Sequence, residues 1–235
     1  MSSLQFLQLM QLADSAAPIG AVAHSFGVEM LAADESLTVD DLSRFLTDYL
    51  IEAGTLEAAY CRRAFAVSRD YDEAAWLTLL REVGALKPAR ESRTASASLG
   101  KRFLQMAAGL SGSSVLDRAD KGARAAKVDI HYCASFGLVA GALKIDEDTA
   151  VLAYLQQNVT GIVSACQRLM PLGQSRAGGI LWQLKPAIAD ASRASATYDS
   201  PIIGGWGAND VPCFTPMLEM ASMRHPGLMT RLFIS

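Results

Sequence analysis

The side chains with the widest chemical range in this sequence are its three histidines: His24, His131 and His225. None of them has a second histidine or a cysteine at the spacing of a metal-binding pair. His24 precedes a serine and follows Asp14 and Ser15, which are the residue types of a hydrolytic triad. A triad is defined by geometry, and the ordinary interpretation is that Asp14 and Ser15 cap a helix while His24 is hydrogen-bonded and partly buried. A catalytic function also remains open as an alternative, in which an all-α enzyme uses His24 together with Glu29.

Phosphate-binding and metal-binding motifs are missing from the sequence. Gly100 and Lys101 lack the upstream glycine and the following Ser or Thr of a P-loop, and no nucleophile elbow occurs. No two of the four cysteines form a CxxC pair, which argues against a zinc knuckle or a disulfide framework and is typical of a reducing compartment. We therefore predict a cytoplasmic protein with no catalytic residue that binds neither nucleotide nor metal directly.

Methionines are concentrated near the end of the chain. Four of the nine lie in the last nineteen residues: Met217, Met220, Met223 and Met229. Thioethers suit Cu(I) better than Ni(II) or Zn(II), so a metal site is a poor interpretation. Methionine packs well against irregular surfaces, and the group is expected to contact a partner or to fill gaps in the protein's own core.

Composition and charge narrow the class of protein. The chain has 235 residues, of which 51% are hydrophobic, and a net charge of −3, which excludes a disordered chain and gives no basic stripe for nucleic acid. Residues 1–60 hold nine acids and one base, whereas residues 81–127 hold ten bases and four acids. This asymmetry predicts either complementary faces for partners and self-association or two ordinary solvated surfaces. Residues 149–167 carry no charge but hold four Asn or Gln residues, which favours a buried helix over a membrane span.

The hydrophobic spacing is helical almost throughout. Apolar residues recur every three or four positions over 42–60 and 151–169, and Thr38 with Asp41 has the pattern of a helix N-cap. No segment alternates as a strand would. We predict an all-α, single-domain multi-helix bundle over residues 1–235, with an irregular Gly/Pro-rich linker at 194–214 and a flexible apolar tail at 215–235. Further predicted helices are 4–12, 74–86, 90–110, 131–143 and one over 180–188.

Four segments, in order, resemble the family of the urease accessory protein UreF. The first runs LMQLADSAAPIG from Leu9 and continues as HSFGVE from His24. The others are RESR with LGKR, from Arg90 and Leu99; RLMPLGQ, from Arg168; and MASMRH with TRLF, from Met220 and Thr230. The resemblance covers nearly the whole chain, and Pro226 stands where the family usually has Glu.

The resemblance implies a non-enzymatic chaperone in urease maturation. UreF-like proteins are all-α and tend to form homodimers. They join UreD (also called UreH) and recruit the GTPase UreG, so that GTP hydrolysis is coupled to nickel delivery into apo-urease. Nickel and GTP would then be handled by the complex, without nucleic acid or membrane as partners. A direct nickel carrier is a second alternative. Arg168, Arg176 and Arg224 each have the side chain of an arginine finger for the GTPase, and the sequence selects none of them.

The matched segments also supply the predicted partner-binding residues. These are Met223, Arg224, His225, Leu228, Arg231, Leu232, Phe233, Arg168, Gln174, Glu91, Arg93, His24 and Glu29. A short terminal segment cannot bury several large apolar side chains by itself. We therefore expect the tail to be mobile in the free protein and to order against UreD, with Arg231 bonded to neighbouring carbonyls or carboxylates. In the competing interpretation the tail packs on its own bundle and Arg231 is a surface cation.

Overall fold

Helices make up the regular secondary structure of the computed structural model, which describes residues 1–197 and 215–235, and no strand occurs within those ranges. The helices are α1 (Ser3–Leu12), α2 (Val28–Ala33), α3 (Leu42–Tyr49), α4 (Thr55–Arg69), α5 (Glu73–Ala85), α6 (Arg90–Ser111), α7 (Ser114–Ala126), α8 (Tyr132–Ala142), α9 (Glu147–Leu169), α10 (Gln174–Gln183), α11 (Lys185–Ala196) and α12 (Pro216–Arg224). The all-α prediction is confirmed. None of the helices in the described ranges is long and apolar enough to cross a bilayer.

Helix α8 lies at the centre of the bundle. Every residue from Tyr132 to Ala140 is buried, as expected for a helix that is apolar on all sides. Helices α4, α6 and α9 surround it. The rings of Phe103, Tyr132, Phe136 and Tyr154 pack against one another at centroid distances of 5.2–6.1 Å, so three helices share one aromatic core.

Glycines allow the backbones of the central helices to approach closely. A Cβ added at Gly137 of α8 would lie 2.7 Å from the carbonyl carbon of Cys61 in α4. A Cβ at Gly100 of α6 would lie 2.7 Å from the amide nitrogen of Tyr132. Real Cβ atoms do not approach so closely, and these contacts therefore need residues without side chains.

The predicted helices appear with three differences. The helix over 42–60 is continuous but contains a π-helical turn, Leu50–Gly54. The helix over 180–188 is divided at Leu184 into α10 and α11, because Pro186 occupies the first turn of α11. Helix α7 was not predicted, since its buried face consists mainly of small residues. The predicted linker at 194–214 begins too early, as α11 extends to Ala196, and the remainder from 198 lies outside the described residues.

The tail does not have the free conformation expected from the sequence. After α12, residues His225–Gly227 form a short 3-10 turn that contains Pro226, and the last residues return to the N-terminal part of the chain. The Phe233 side chain is buried, and the amide of Ile234 donates to the Ala23 carbonyl over 2.9 Å. The tail is thus docked on its own bundle. Main-chain hydrogen bonds and the burial of one ring stabilise this conformation, which the apolar side chains alone did not indicate.

His131 is the most strongly perturbed histidine of the core. Its Nδ1 lies 3.3 Å from the Ser96 hydroxyl. Burial, with smaller contributions from Lys87 and Arg93, lowers its pKa to about 3 from the usual 6.5. The imidazole is therefore neutral in the folded protein at every pH near neutrality.

This burial predicts a pH-dependent stability. As pH falls below 6.5, His131 becomes protonated in the unfolded chain but stays neutral in the folded one. The free energy of unfolding therefore decreases between pH 6.5 and pH 3. Between pH 7 and pH 5 the contribution to the free energy of unfolding is about 2 kcal/mol. Urea unfolding at both pH values should show a drop smaller by that amount in His131→Gln than in the wild type. Equal drops in both proteins would contradict the prediction.

Candidate partner-binding site

Several of the predicted site residues meet where α2, the start of α6 and α12 come together. Gly27, immediately before α2, has a φ of +92°, and a Cβ there would lie 2.7 Å from the Leu218 carbonyl oxygen of α12. Glycine is therefore required both by its conformation and by the closeness of α12. Helix α12 is also fixed to α6 through the Ser92 and Ser222 hydroxyls, which are 2.8 Å apart.

A buried histidine between two carboxylates forms the centre of the site. His225 Nε2 lies 2.8 Å from Glu29 Oε2, and His225 Nδ1 lies 2.7 Å from Glu91 Oε2. The exposed fractions of the three side chains are 0%, 5% and 14% for His225, Glu29 and Glu91. Arg231 adds a cation, with Nη1 at 3.6 Å from Glu91 Oε1. Residues from α2, α6, the 3-10 turn and the tail are thereby joined in one charged cluster.

Glu29 also binds the main chain of the tail. The amides of Leu232 and Phe233 donate to Glu29 Oε1 and Oε2 over 2.6 Å and 3.1 Å. Beyond these residues, the main-chain oxygen of Ser235 accepts from the amides of Ser25 and Phe26. The carboxylate and the loop before α2 therefore satisfy the polar groups of the tail's main chain, as a docked segment requires.

Arg168 of α9 supports the tail from the other side. Its guanidinium carbon lies 4.1 Å above the centroid of the Phe233 ring, a cation–π distance. The same guanidinium donates to the Val22 carbonyl over 2.8 Å. Phe233 is therefore held between the bundle and a cation that also fixes the loop where the tail docks.

His24 contacts the tail instead of a catalytic acid. Its Nδ1 lies 2.7 Å from the Ser235 hydroxyl, while the Asp14 carboxylate accepts from the amide of Ala16 and Glu29 is occupied by His225 and the tail amides. Burial, followed by the charge of Arg102, lowers the pKa of His24. The structure therefore does not assemble the Asp14–Ser15–His24 triad, nor a pair of His24 with Glu29.

Other predicted site residues lie in different surroundings. Arg93 donates to the Lys87 and Pro88 carbonyls in the turn before α6, and Gln174 bonds with Gln167 where α10 begins. Arg224 pairs with Asp34 over 2.7 Å. Leu228 is half-buried, and Met223 is exposed near the end of α12. Among the three arginines of finger type, Arg168 lies at the docked tail, whereas Arg176 pairs with Asp40 and Arg224 with Asp34.

The outer side of the docked tail is apolar and open to solvent. Met229 is fully exposed, and Leu232 and Ile234 are 68% and 69% exposed. Val22 in the loop below and Met223 are exposed as well. We call these five residues the tail surface. Its side chains are large and apolar and lie around a fixed main chain, which suits contact with another protein more than it suits turnover of a substrate.

Sequence reasoning did not find the main-chain part of this site. Ala23, Ser25, Phe26 and Ser235 act through backbone atoms, which no residue type reveals. In the described ranges, no group of three or more His, Cys, Asp or Glu side chains is arranged to hold a metal ion. Both ring nitrogens of His225 are already engaged by carboxylates.

A partly open pocket of about 140 Å³ lies beneath α12 and reaches the inner side of the site at His24. Most of its lining is apolar, but Glu57, Lys87 and Asn158 also face it. Glu57 bonds with Lys87, with the Tyr154 hydroxyl at 2.8 Å and with the Asn158 amide at 3.4 Å. Burial lowers and the Glu57 carboxylate raises the pKa of Lys87, and the net direction is upward. A space of this size and mixed lining can hold a few ordered waters.

The fold and the site together define an all-α protein whose last residues close onto the loop before its second helix. A family model described as UreF matches residues 37–185. The chain belongs to the UreF family of urease accessory proteins. The urease accessory protein UreF of Paenarthrobacter aurescens (strain TC1) is 31% identical over 240 residues, which cover 100% of both chains. Those of Nostoc sp. (strain PCC 7120) and Bacillus sp. (strain TB-90) are 29% and 28% identical, each over 98% of this chain and over 96% and 99% of their own. The match to the Paenarthrobacter aurescens protein covers the whole chain and so includes the α2 loop and the tail.

Proposed function

We propose that this protein is a non-enzymatic scaffold of urease maturation in the cytoplasm, which joins UreD (UreH) and recruits the GTPase UreG for nickel delivery into apo-urease. Membership of the UreF family supports the pathway. In this proposal nickel is the cargo of the complex and GTP is bound by UreG, so this chain holds neither by itself. The scaffold influences the GTPase through contact, either with an inserted arginine or by biasing its conformation.

The observation that carries the proposal is the tail surface, an apolar patch on a docked main chain. Met223 near the end of α12, three residues of the tail and Val22 in the loop below it are all exposed, and a cluster of buried polar and charged side chains holds the tail beneath them. Patches of this kind mark sites of protein contact. The proposal also includes a homodimer, which is supported by a second apolar face on the uncharged helix α1, where Leu4, Leu7 and Met10 are exposed.

Charges placed on the tail surface should weaken partner binding without unfolding the protein. The side chains of Met229 and Leu232 are mostly in solvent, so Met229→Glu/Leu232→Glu should change the free energy of unfolding by less than about 0.5 kcal/mol. An apolar interface cannot accept two carboxylates, and we expect the affinity for UreD or UreG to fall at least about tenfold. Pull-down titration with each partner measures the effect.

The control for this experiment is Leu110→Glu. Leu110 is 63% exposed near the end of α6 and should tolerate the same charge with partner binding unchanged. Full affinity of the double variant for both partners, or an equal loss in the control, would exclude the tail surface as the contact site.

A further inference from the structure

The two contacts of the His225 ring with Glu29 and Glu91 determine how many protons these three side chains share. Two short contacts join the ring of His225 to carboxylate oxygens, one at each nitrogen. A bare ring nitrogen would present a lone pair to an oxygen that also only accepts, so each contact needs a proton. Glu29 accepts two main-chain amides besides the histidine, which favours its ionised form. Arg231 lies beside Glu91, so both protons are placed on the ring, which gives an imidazolium between two carboxylates.

The cluster is also balanced in charge. With both ring nitrogens protonated, His225 and Arg231 supply two positive charges against the two negative charges of Glu29 and Glu91. A buried carboxylate that lacks a cation is strongly unfavourable, whereas a paired and fully hydrogen-bonded one is tolerated. The charge of His225 is thus the condition under which Glu29 can remain ionised and bind the tail amides.

We propose that Glu29 and His225 are positioning residues for the tail surface: the Glu29 carboxylate receives the two consecutive amides of Leu232 and Phe233, and the positive ring of His225 keeps that receptor in place. The arrangement turns the Phe233 ring inward under Arg168 and leaves the Leu232 side chain outward. This inference rests on the proposed function only in assigning the tail surface to a partner. The docking itself is a property of the chain alone.

Glu29→Gln is the decisive variant because glutamine has nearly the same shape. Glu29 uses both oxygens as acceptors, so one oxygen replaced by NH2 would place a donor against a donor. In the isolated protein, amide hydrogen exchange measured by NMR should accelerate at least about tenfold at Leu232 and Phe233 and remain unchanged in α8. Glu35→Gln, the same substitution on the surface, is the matched control and should alter the exchange rates neither at Leu232 and Phe233 nor in α8.

Partner binding measured on the same variants separates the two proposals. We call the docking of the Leu232 and Phe233 amides on Glu29, supported by His225, the latch. Faster exchange together with loss of UreD or UreG binding supports both the latch and the proposed function. Faster exchange with binding intact supports the latch but contradicts a role of the tail surface in partner contact. Unchanged exchange at Leu232 and Phe233 in Glu29→Gln overturns the latch, whatever the partners do.

A measurement on the wild-type protein keeps the proposal testable if Glu29→Gln fails to fold. The ¹⁵N chemical shifts of the His225 ring at neutral pH should show a proton on both nitrogens. A ring with one unprotonated nitrogen would refute the positive charge on which the latch depends.

Discussion

Replacing Gly137 with alanine should cost at least about 3 kcal/mol of the free energy of unfolding, a large share of the total for a domain of this size. The new Cβ would overlap the Cys61 carbonyl oxygen and lie 2.7 Å from its carbon. The carbonyl oxygen and carbon of Cys61 belong to the backbone of α4 in the centre of the bundle, so they cannot rotate away as a flexible side chain could. The helices would have to separate, and the packing around α8 would loosen with them.

Gly109→Ala is the matched control for this substitution. Gly109 lies in α6, and a Cβ there would meet nothing within 4 Å, so alanine should stabilise the helix by about 0.5–1 kcal/mol. Urea unfolding followed by circular dichroism measures both variants. A midpoint for Gly137→Ala equal to that of the wild type would show that α4 and α8 are not in the close contact described.

Removing the charge of Lys87 should lower the free energy of unfolding by about 3 kcal/mol, because the substitution leaves the Glu57 carboxylate without its cation. The exposed fractions of the two side chains are 15% and 19%, so water replaces little of the lost interaction. Lys87→Met keeps most of the apolar stem. The hydroxyl of Tyr154 and the amide of Asn158 still donate to Glu57, but neither carries a compensating charge.

The double variant Lys87→Met/Glu57→Gln should recover most of this loss, because no uncompensated charge is then buried. The exposed pair of Arg44 with Asp41 provides a contrast, and Arg44→Met should change stability by less than about 1 kcal/mol. Chemical unfolding of the four proteins forms a direct comparison. If the double variant is no more stable than Lys87→Met, the loss is not due to a stranded carboxylate.

The sequence was sufficient to predict most helices and the region of the site, for reasons visible in single residues. Residues 151–169 have apolar side chains at helical spacing, and α9 ends at Leu169, just before Pro171. Glu29, Glu91, His225 and Arg231 come from three of the segments that resemble UreF, and the structure brings them into one cluster. Their segments are far apart in the chain, so spacing alone could not have shown the contact.

The features that were missed depend on backbone geometry. The π-helical turn at Leu50–Gly54 adds one residue to a turn without disturbing the apolar stripe, so periodicity cannot distinguish it from a regular helix. The docking of the tail depends on amides of Leu232, Phe233 and Ile234, which every residue other than proline would supply. A mobile tail was expected from its apolar side chains alone, because their number says nothing about these main-chain hydrogen bonds.

The latch also has a consequence for biosynthesis. The contact of His225 with Glu29 joins residues 196 positions apart, and that of Glu29 with Phe233 spans 204. Chains emerge from the ribosome with their N-terminal part first, so α2 and its loop are exposed long before the residues that cover them exist. A nascent or prematurely terminated chain can therefore build much of the bundle but cannot arrange the tail surface. A partner that binds this surface would therefore bind a chain only after residues 225–234 have been synthesised and have docked on α2.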